Sequence, residues 1–200
     1  MRANIIDALK VLSQSGVVAY PTETFYGLGV DAHSEIALKR LIKLKGRQER
    51  QPFPILLPST EALNYYAEEI PKVAQTLIQK YWPGPLTLVL KSRKFSSILC
   101  GPRDGVGFRV SSHPLAFQLA STFGRCITAT SANASCKKPA ETAGEVSKIF
   151  DDIFILNGGK SKGGLPSTVL DFTQGTRPLL IREGRISWKE IQDIFLESHG

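Results

Sequence analysis

The chain has 200 residues, with 25 Lys+Arg against 18 Asp+Glu, a formal net charge of +7. Apolar residues at 42% and charged residues at 22% exclude a disordered chain, and at this length a core closes without a disulfide or metal staple. Cys100, Cys126 and Cys136 form no CxxC pair and do not cluster with His33, His113 or His199, so no structural zinc site is indicated. No apolar run approaches a membrane span, and Met1 to Gly16 lacks a signal-peptide core. The reading is a cytoplasmic protein with a single domain over 1–200. Its basic excess suits a nucleotide, a nucleic acid, an anionic lipid or plain solubility.

Ile5, Leu9 and Leu12 share a helical face, and Gly16 is placed to end that helix. Val17–Tyr20 reads as a buried strand stopped by Pro21. Residues 34–45 return to helical spacing and stop at Gly46. Residues 71–81 and 114–123 are helices opened by proline, and Leu86–Leu90, Val106–Val110 and Cys126–Thr130 are strands. Thr142 with Glu145 and Ser187 with Glu190 are capping boxes. Ile153–Leu156, Thr168–Phe172 and Leu179–Arg182 are strands, the last two a candidate hairpin across the turn at Gln174–Pro178. The fold class is α/β: an open, twisted, mixed sheet flanked by helices.

Three familiar motifs fail. Gly159-Lys160-Ser161 lacks the P-loop glycine, since Phe154 stands there. Gly27-Leu28-Gly29-Val30-Asp31-Ala32 does not directly follow the strand, as a dinucleotide fingerprint requires. His113 has no Gly-x-Ser-x-Gly partner. Four segments remain. Pro21–Gly29 leaves the end of a strand carrying Thr22, Glu23 and Thr24, either as a ligand loop or as a self-bonded turn. Lys45-Gly46-Arg47 can converge on a phosphate, or its cations can simply favour a helix C-terminus. Thr128–Asn133 offers short polar side chains next to the backbone. Gly163–Thr168 leads into a strand, and Leu179–Gly184 ends one on Arg182. Arg109 sits inside an apolar strand and must meet an anion, either a protein carboxylate or a ligand.

Taken in order, PTETFYGLG, LKGR, WPGPLTLVL, FRVSSHP, TSAN, PSTVLD and IREG resemble the YrdC-like family of threonylcarbamoyl-AMP synthases, over about residues 4–190. The resemblance implies a YrdC-like fold. It also implies synthesis of L-threonylcarbamoyladenylate from L-threonine, bicarbonate or CO2, and ATP, with pyrophosphate released. Partner proteins would then transfer the threonylcarbamoyl group to adenosine in tRNAs reading ANN codons. By the same resemblance, Lys45 and Arg47 contact ATP phosphates, Ser131 and Asn133 the nucleotide and threonine region, and Arg182 the nucleotide. Thr22, Arg109 and Ser167 hold threonine, with Arg109 on its carboxylate. ATP is a substrate accompanied by Mg2+, with no dedicated protein metal site, tightly bound cofactor or covalent nucleophile. Some members bind double-stranded RNA, so a non-catalytic tRNA- or double-stranded-RNA-binding module is the alternative. The sequence departs from the family at Gln48, at Ser135-Cys136, and at Leu56, where some longer members carry a threonine-contacting histidine.

Overall fold

The computed structural model describes residues 4–46, 52–134 and 137–197. In chain order the elements are α1 (Ile5–Ser13), β1 (Val18–Tyr20), β2 (Gly27–Gly29), α2 (Glu35–Lys45), β3 (Ile55–Leu56), α3 (Leu63–Tyr66), α4 (Lys72–Tyr81) and β4 (Leu86–Lys91). A 3-10 turn (Pro102–Asp104) precedes β5 (Gly105–Arg109), α5 (Pro114–Phe123), β6 (Ile127–Thr128), β7 (Thr130–Ser131) and α6 (Ala143–Ile149). Then come β8 (Phe154–Ile155), β9 (Thr168–Asp171), β10 (Leu179–Arg182) and α7 (Trp188–Glu197). None of the described helices is long and apolar enough to cross a membrane.

The expected α/β character and mixed pairing are present. The strands form two hydrogen-bonded sheets, in the orders β7-β2-β1-β8 and β10-β9-β4-β5-β3-β6. Both combine parallel and antiparallel pairs. The expected strand at Cys126–Thr130 is split. Ile127 and Thr128 pair with β3, whereas Thr130 and Ser131 pair with β2. Between them the Ala129 N–H bonds the Pro54 carbonyl at 2.7 Å, so one short stretch of chain joins the sheets. The segment Gly27-Leu28-Gly29 is itself a strand antiparallel to β1, which removes any dinucleotide turn. Its glycines have a packing reason. A Cβ at Gly29 would lie 2.7 Å from the Tyr20 ring, and one at Gly27 3.2 Å from it.

Strand alternation divides the core. Ala19, Ile55 and Leu57 join a large cluster with Leu38 and Leu41 of α2, Val73 and Leu77 of α4, and Ile191 of α7. Val18, Tyr20 and Leu56 join a second cluster with Ala8 and Leu12 of α1 and Ala116 and Leu119 of α5.

Helix ends follow local chemistry. Ser34 caps α2, and Gly46 closes it in the left-handed conformation at φ 59°. Thr142 accepts from the Glu145 N–H at 3.1 Å, and Ser187 from the Glu190 N–H at 3.2 Å. At α1 the expected glycine stop shifts. Ser15 takes the left-handed conformation at φ 58°, and Gly16 is there because a Cβ would meet Val11 Cγ1 at 2.5 Å. Pro114 occupies the first turn of α5, but Pro71 is the cap residue of α4. The expected hairpin of β9 and β10 forms, with a register shift between Leu180 and Arg182.

Candidate active site

A cleft of about 550 Å³ opens where the two sheets meet. This lies within the size range of small-molecule sites. Its walls carry the loop after β1 (Thr22, Thr24), the crossing segment (Thr130, Ser131, Asn133), and Arg109 at the end of β5. They also carry Ser167, before β9, and Arg182, at the end of β10. Six of the eight sequence-predicted site residues therefore line one cavity. Lys45 lies just behind it, and Arg47 lies outside the described residues.

Lys45 ends α2 and is buried, 3% exposed. Its ammonium donates to the Ser131 carbonyl at 2.7 Å, the Asn133 carbonyl at 2.7 Å and Asn133 Oδ1 at 2.8 Å. Asn133 Oδ1 also accepts from the Ser131 hydroxyl at 2.6 Å, and its Nδ2 donates to the Lys137 carbonyl. The cation thus organises the Ser131–Asn133 turn from beneath. Elsewhere on α2, Arg40 donates to the Ser15 carbonyl at 2.9 Å, and Lys39 makes an exposed pair with Glu35.

The turn after β1 is self-bonded, and its threonines also line the cleft. Thr22 Oγ1 donates to the Phe25 carbonyl at 2.6 Å and accepts from the Thr24 N–H at 3.2 Å. Glu23 leaves the turn to form a buried ion pair with Arg109, while the Ser111 hydroxyl donates to its other oxygen. Arg109 thus meets a protein carboxylate. Its Nε is buried and has no hydrogen-bond partner. A buried donor without a partner costs about 1–3 kcal/mol, so a ligand acceptor here would recover that energy.

Arg182 lies across the cleft. Its Nε and Nη2 hold the Ser167 carbonyl at 3.1 and 3.0 Å, and Nη2 also reaches Ser167 Oγ at 3.1 Å. Desolvation, then the charge of Arg109, lowers its pKa from the ordinary arginine value. Two guanidinium groups therefore line one cleft, an arrangement that can receive an anion. Behind them Tyr20 donates to the Thr128 carbonyl at 2.8 Å. Burial pushes its phenol pKa up, with Arg109 opposing and Glu23 adding.

Sequence reasoning missed Glu23 as the partner of Arg109, along with Ser111 and Thr87. Thr87 is buried in β4 and pairs with Ser167 Oγ at 3.0 Å. The available signal was an acid between two threonines and a strand-buried arginine, each needing a counter-charge. Leu56, where some longer members carry a histidine, is 1% exposed, packs in the α1–α5 cluster and is not among the residues lining the cleft. The glycine-rich stretch 158–164 is a loop held against the cleft. The Gly163 N–H bonds the Thr24 carbonyl at 2.7 Å, and the Tyr26 hydroxyl bonds the Gly159 carbonyl at 2.8 Å. Among the described residues no group of three or more His, Cys, Asp or Glu is arranged to hold a metal.

The architecture is thus an α/β protein whose cationic cleft is floored by small hydroxyl-bearing segments. A family model for the Sua5, YciO and YrdC proteins, described as telomere recombination, matches residues 10–184, and the chain belongs to that family. It is 39% identical over 189 residues to the threonylcarbamoyl-AMP synthase of Pyrococcus abyssi, covering 93% of this chain and 55% of that protein. It is 40% identical over 176 residues to the threonylcarbamoyl-AMP synthase of Halorhodospira halophila, covering 87% of this chain and 86% of that protein. The crystal structure of P. abyssi Sua5 complexed with L-threonine superposes with a TM-score of 0.89 at 38% identity. That match covers 95% of this chain and 56% of the other. The chain thus spans little more than half the length of the Pyrococcus relative.

Proposed function

We propose that the chain is a threonylcarbamoyl-AMP synthase. It joins L-threonine, bicarbonate or CO2, and ATP into L-threonylcarbamoyladenylate and releases pyrophosphate, a nucleotidyl transfer. The observation that carries this reading is the pair Arg109 and Arg182 in one cleft with the Ser131–Asn133 turn. Two cations, one with an orphaned buried N–H, await an anion beside a polar segment suited to a nucleotide. Relatives bearing that name, and a relative's structure with L-threonine, support the assignment.

In this reading the threonine carboxylate bonds Arg109, and Thr22 and Ser167 border the amino acid. The neutral amine adds to CO2 and gives up a proton to water, leaving a carbamate anion. A carbamate oxygen attacks the α-phosphorus, and pyrophosphate departs with the electron pair of the broken P–O bond. Charge spreads over phosphoryl oxygens in the transition state, so positioning and fixed cations supply the acceleration. Arg182 and Arg47 meet the phosphates. Lys45 holds the Ser131–Asn133 turn and places its charge under it. Mg2+ enters with ATP as substrate, ligated chiefly by phosphate oxygens. The product serves tRNA modification in the cytoplasm, through proteins that transfer the threonylcarbamoyl group.

The test is pyrophosphate release with each substrate omitted in turn. Release is expected only with ATP, threonine and bicarbonate together, and to be lost in Lys45→Ala and Arg47→Ala. Undiminished release without threonine would sink the proposal.

A further inference from the structure

Glu23 stands between Thr22 and Thr24, yet its carboxylate is not among the groups lining the cleft. Both its oxygens are engaged, one by Arg109 Nη2 and the other by the Ser111 hydroxyl. Ser111 Oγ in turn accepts the His113 backbone N–H at 3.2 Å, which ties the pair to the start of α5. Glu23 is therefore not a free base, and its direct contacts are with Arg109 and Ser111.

A guanidinium is planar, so fixing one terminal nitrogen orients its remaining donors. Arg109 has a buried Nε without a partner and lies close enough to Arg182 for the two charges to oppose each other. The Glu23 carboxylate supplies the counter-charge to Arg109. It also couples the threonine-bearing loop after β1 to the end of β5, 86 residues away. We propose that Glu23 is a positioning residue that presents Arg109 to the carboxylate of the amino-acid substrate. The proposal rests on the synthase reading.

The test compares Glu23→Gln, Glu23→Asp and wild type by calorimetric titration with L-threonine and by steady-state kinetics in threonine and MgATP. Glu23→Gln keeps the volume and an acceptor but removes the charge. Its threonine affinity is expected to fall roughly 10- to 100-fold, the effect typical of residues supporting a ligating group. The KM for MgATP is expected to move by less than about threefold, and Glu23→Asp to recover part of the loss. A folded Glu23→Gln protein that binds threonine like wild type overturns the proposal. So do equal losses for threonine and MgATP, which would mark a general structural role. Should Glu23→Gln fail to fold, Ser111→Ala decides, because it loosens the carboxylate without stranding a charge. A selective loss of threonine affinity supports the proposal, and an unchanged affinity overturns it. Wild-type protein that does not bind threonine would instead overturn the synthase reading.

Discussion

Gly184 closes the IREG segment after β10. A Cβ built there would lie 2.3 Å from the Pro166 carbonyl oxygen, 2.6 Å from the Ser167 carbonyl carbon and 2.7 Å from the Thr168 nitrogen. All three are backbone atoms, so no side chain can swing away. Moving the closest contact from 2.3 to 3.0 Å displaces the segment by 0.7 Å. That segment carries Ser167, the residue held by Arg182 and Thr87. It also carries Thr168, whose hydroxyl accepts the Gly184 and Ile186 N–H groups. Overpacking of this kind costs about 1–3 kcal/mol. For a chain of this size that lowers Tm by about 2–12 °C. Displacements approaching 1 Å near reacting groups cost up to about 100-fold in rate, so Gly184→Ala is expected to lose at least about tenfold in kcat/KM for pyrophosphate release. Scanning calorimetry and the release assay measure both effects. The matched control is Gly144→Ala, in the exposed part of α6, where a Cβ meets nothing within 4 Å. It is expected to be neutral or to stabilise by up to about 1 kcal/mol. A Gly184→Ala protein with wild-type Tm and kcat/KM would refute the steric reasoning.

Thr142→Ala removes the cap of α6 and is expected to cost about 1 kcal/mol in denaturant unfolding, with Thr142→Ser recovering most of it. Burial lowers the His113 pKa, with Glu23 opposing, so the unfolded chain takes up the proton first as pH falls. Stability is then expected to be full above the ordinary histidine value of about 6.5 and to decline below it, and a His113→Asn protein melted across pH 5–8 is expected to lose that component. Cys126 is buried, and desolvation pushes its thiol up to about 12, so alkylation mapped by mass spectrometry is expected to spare it until unfolding. Rapid native labelling at Cys126 would contradict its placement.

Much of the secondary structure was legible because its signals are local. Thr142 and Ser187 cap the helices their side chains predict, and Gly46 closes α2 as a left-handed residue. The two-residue strand at Ile55–Leu56 was not legible, nor was the split at Ala129. Such short segments become strands only when neighbouring strands offer hydrogen bonds. At α1 the glycine was read as a conformational need, yet Ser15 bears the positive φ and Gly16 yields space to Val11.

The site shows the same division. Ordered motifs carried in one dimension pointed to the segments that line the cleft and to the family to which the chain belongs. Which charges meet which was decided by tertiary structure. Lys45 could have faced a phosphate or a helix end. The fold turns it onto the carbonyls of a turn 86 and 88 residues away. Arg109 could have waited alone for a ligand, and the fold gives it Glu23 while leaving its Nε unpartnered. Leu56, where some longer members carry a histidine, is turned by strand alternation into the core. Residue type sets how strongly a group needs a partner, because that depends on its charge and desolvation. The identity of the partner depends on distances that exist only once both sheets have closed around the cleft.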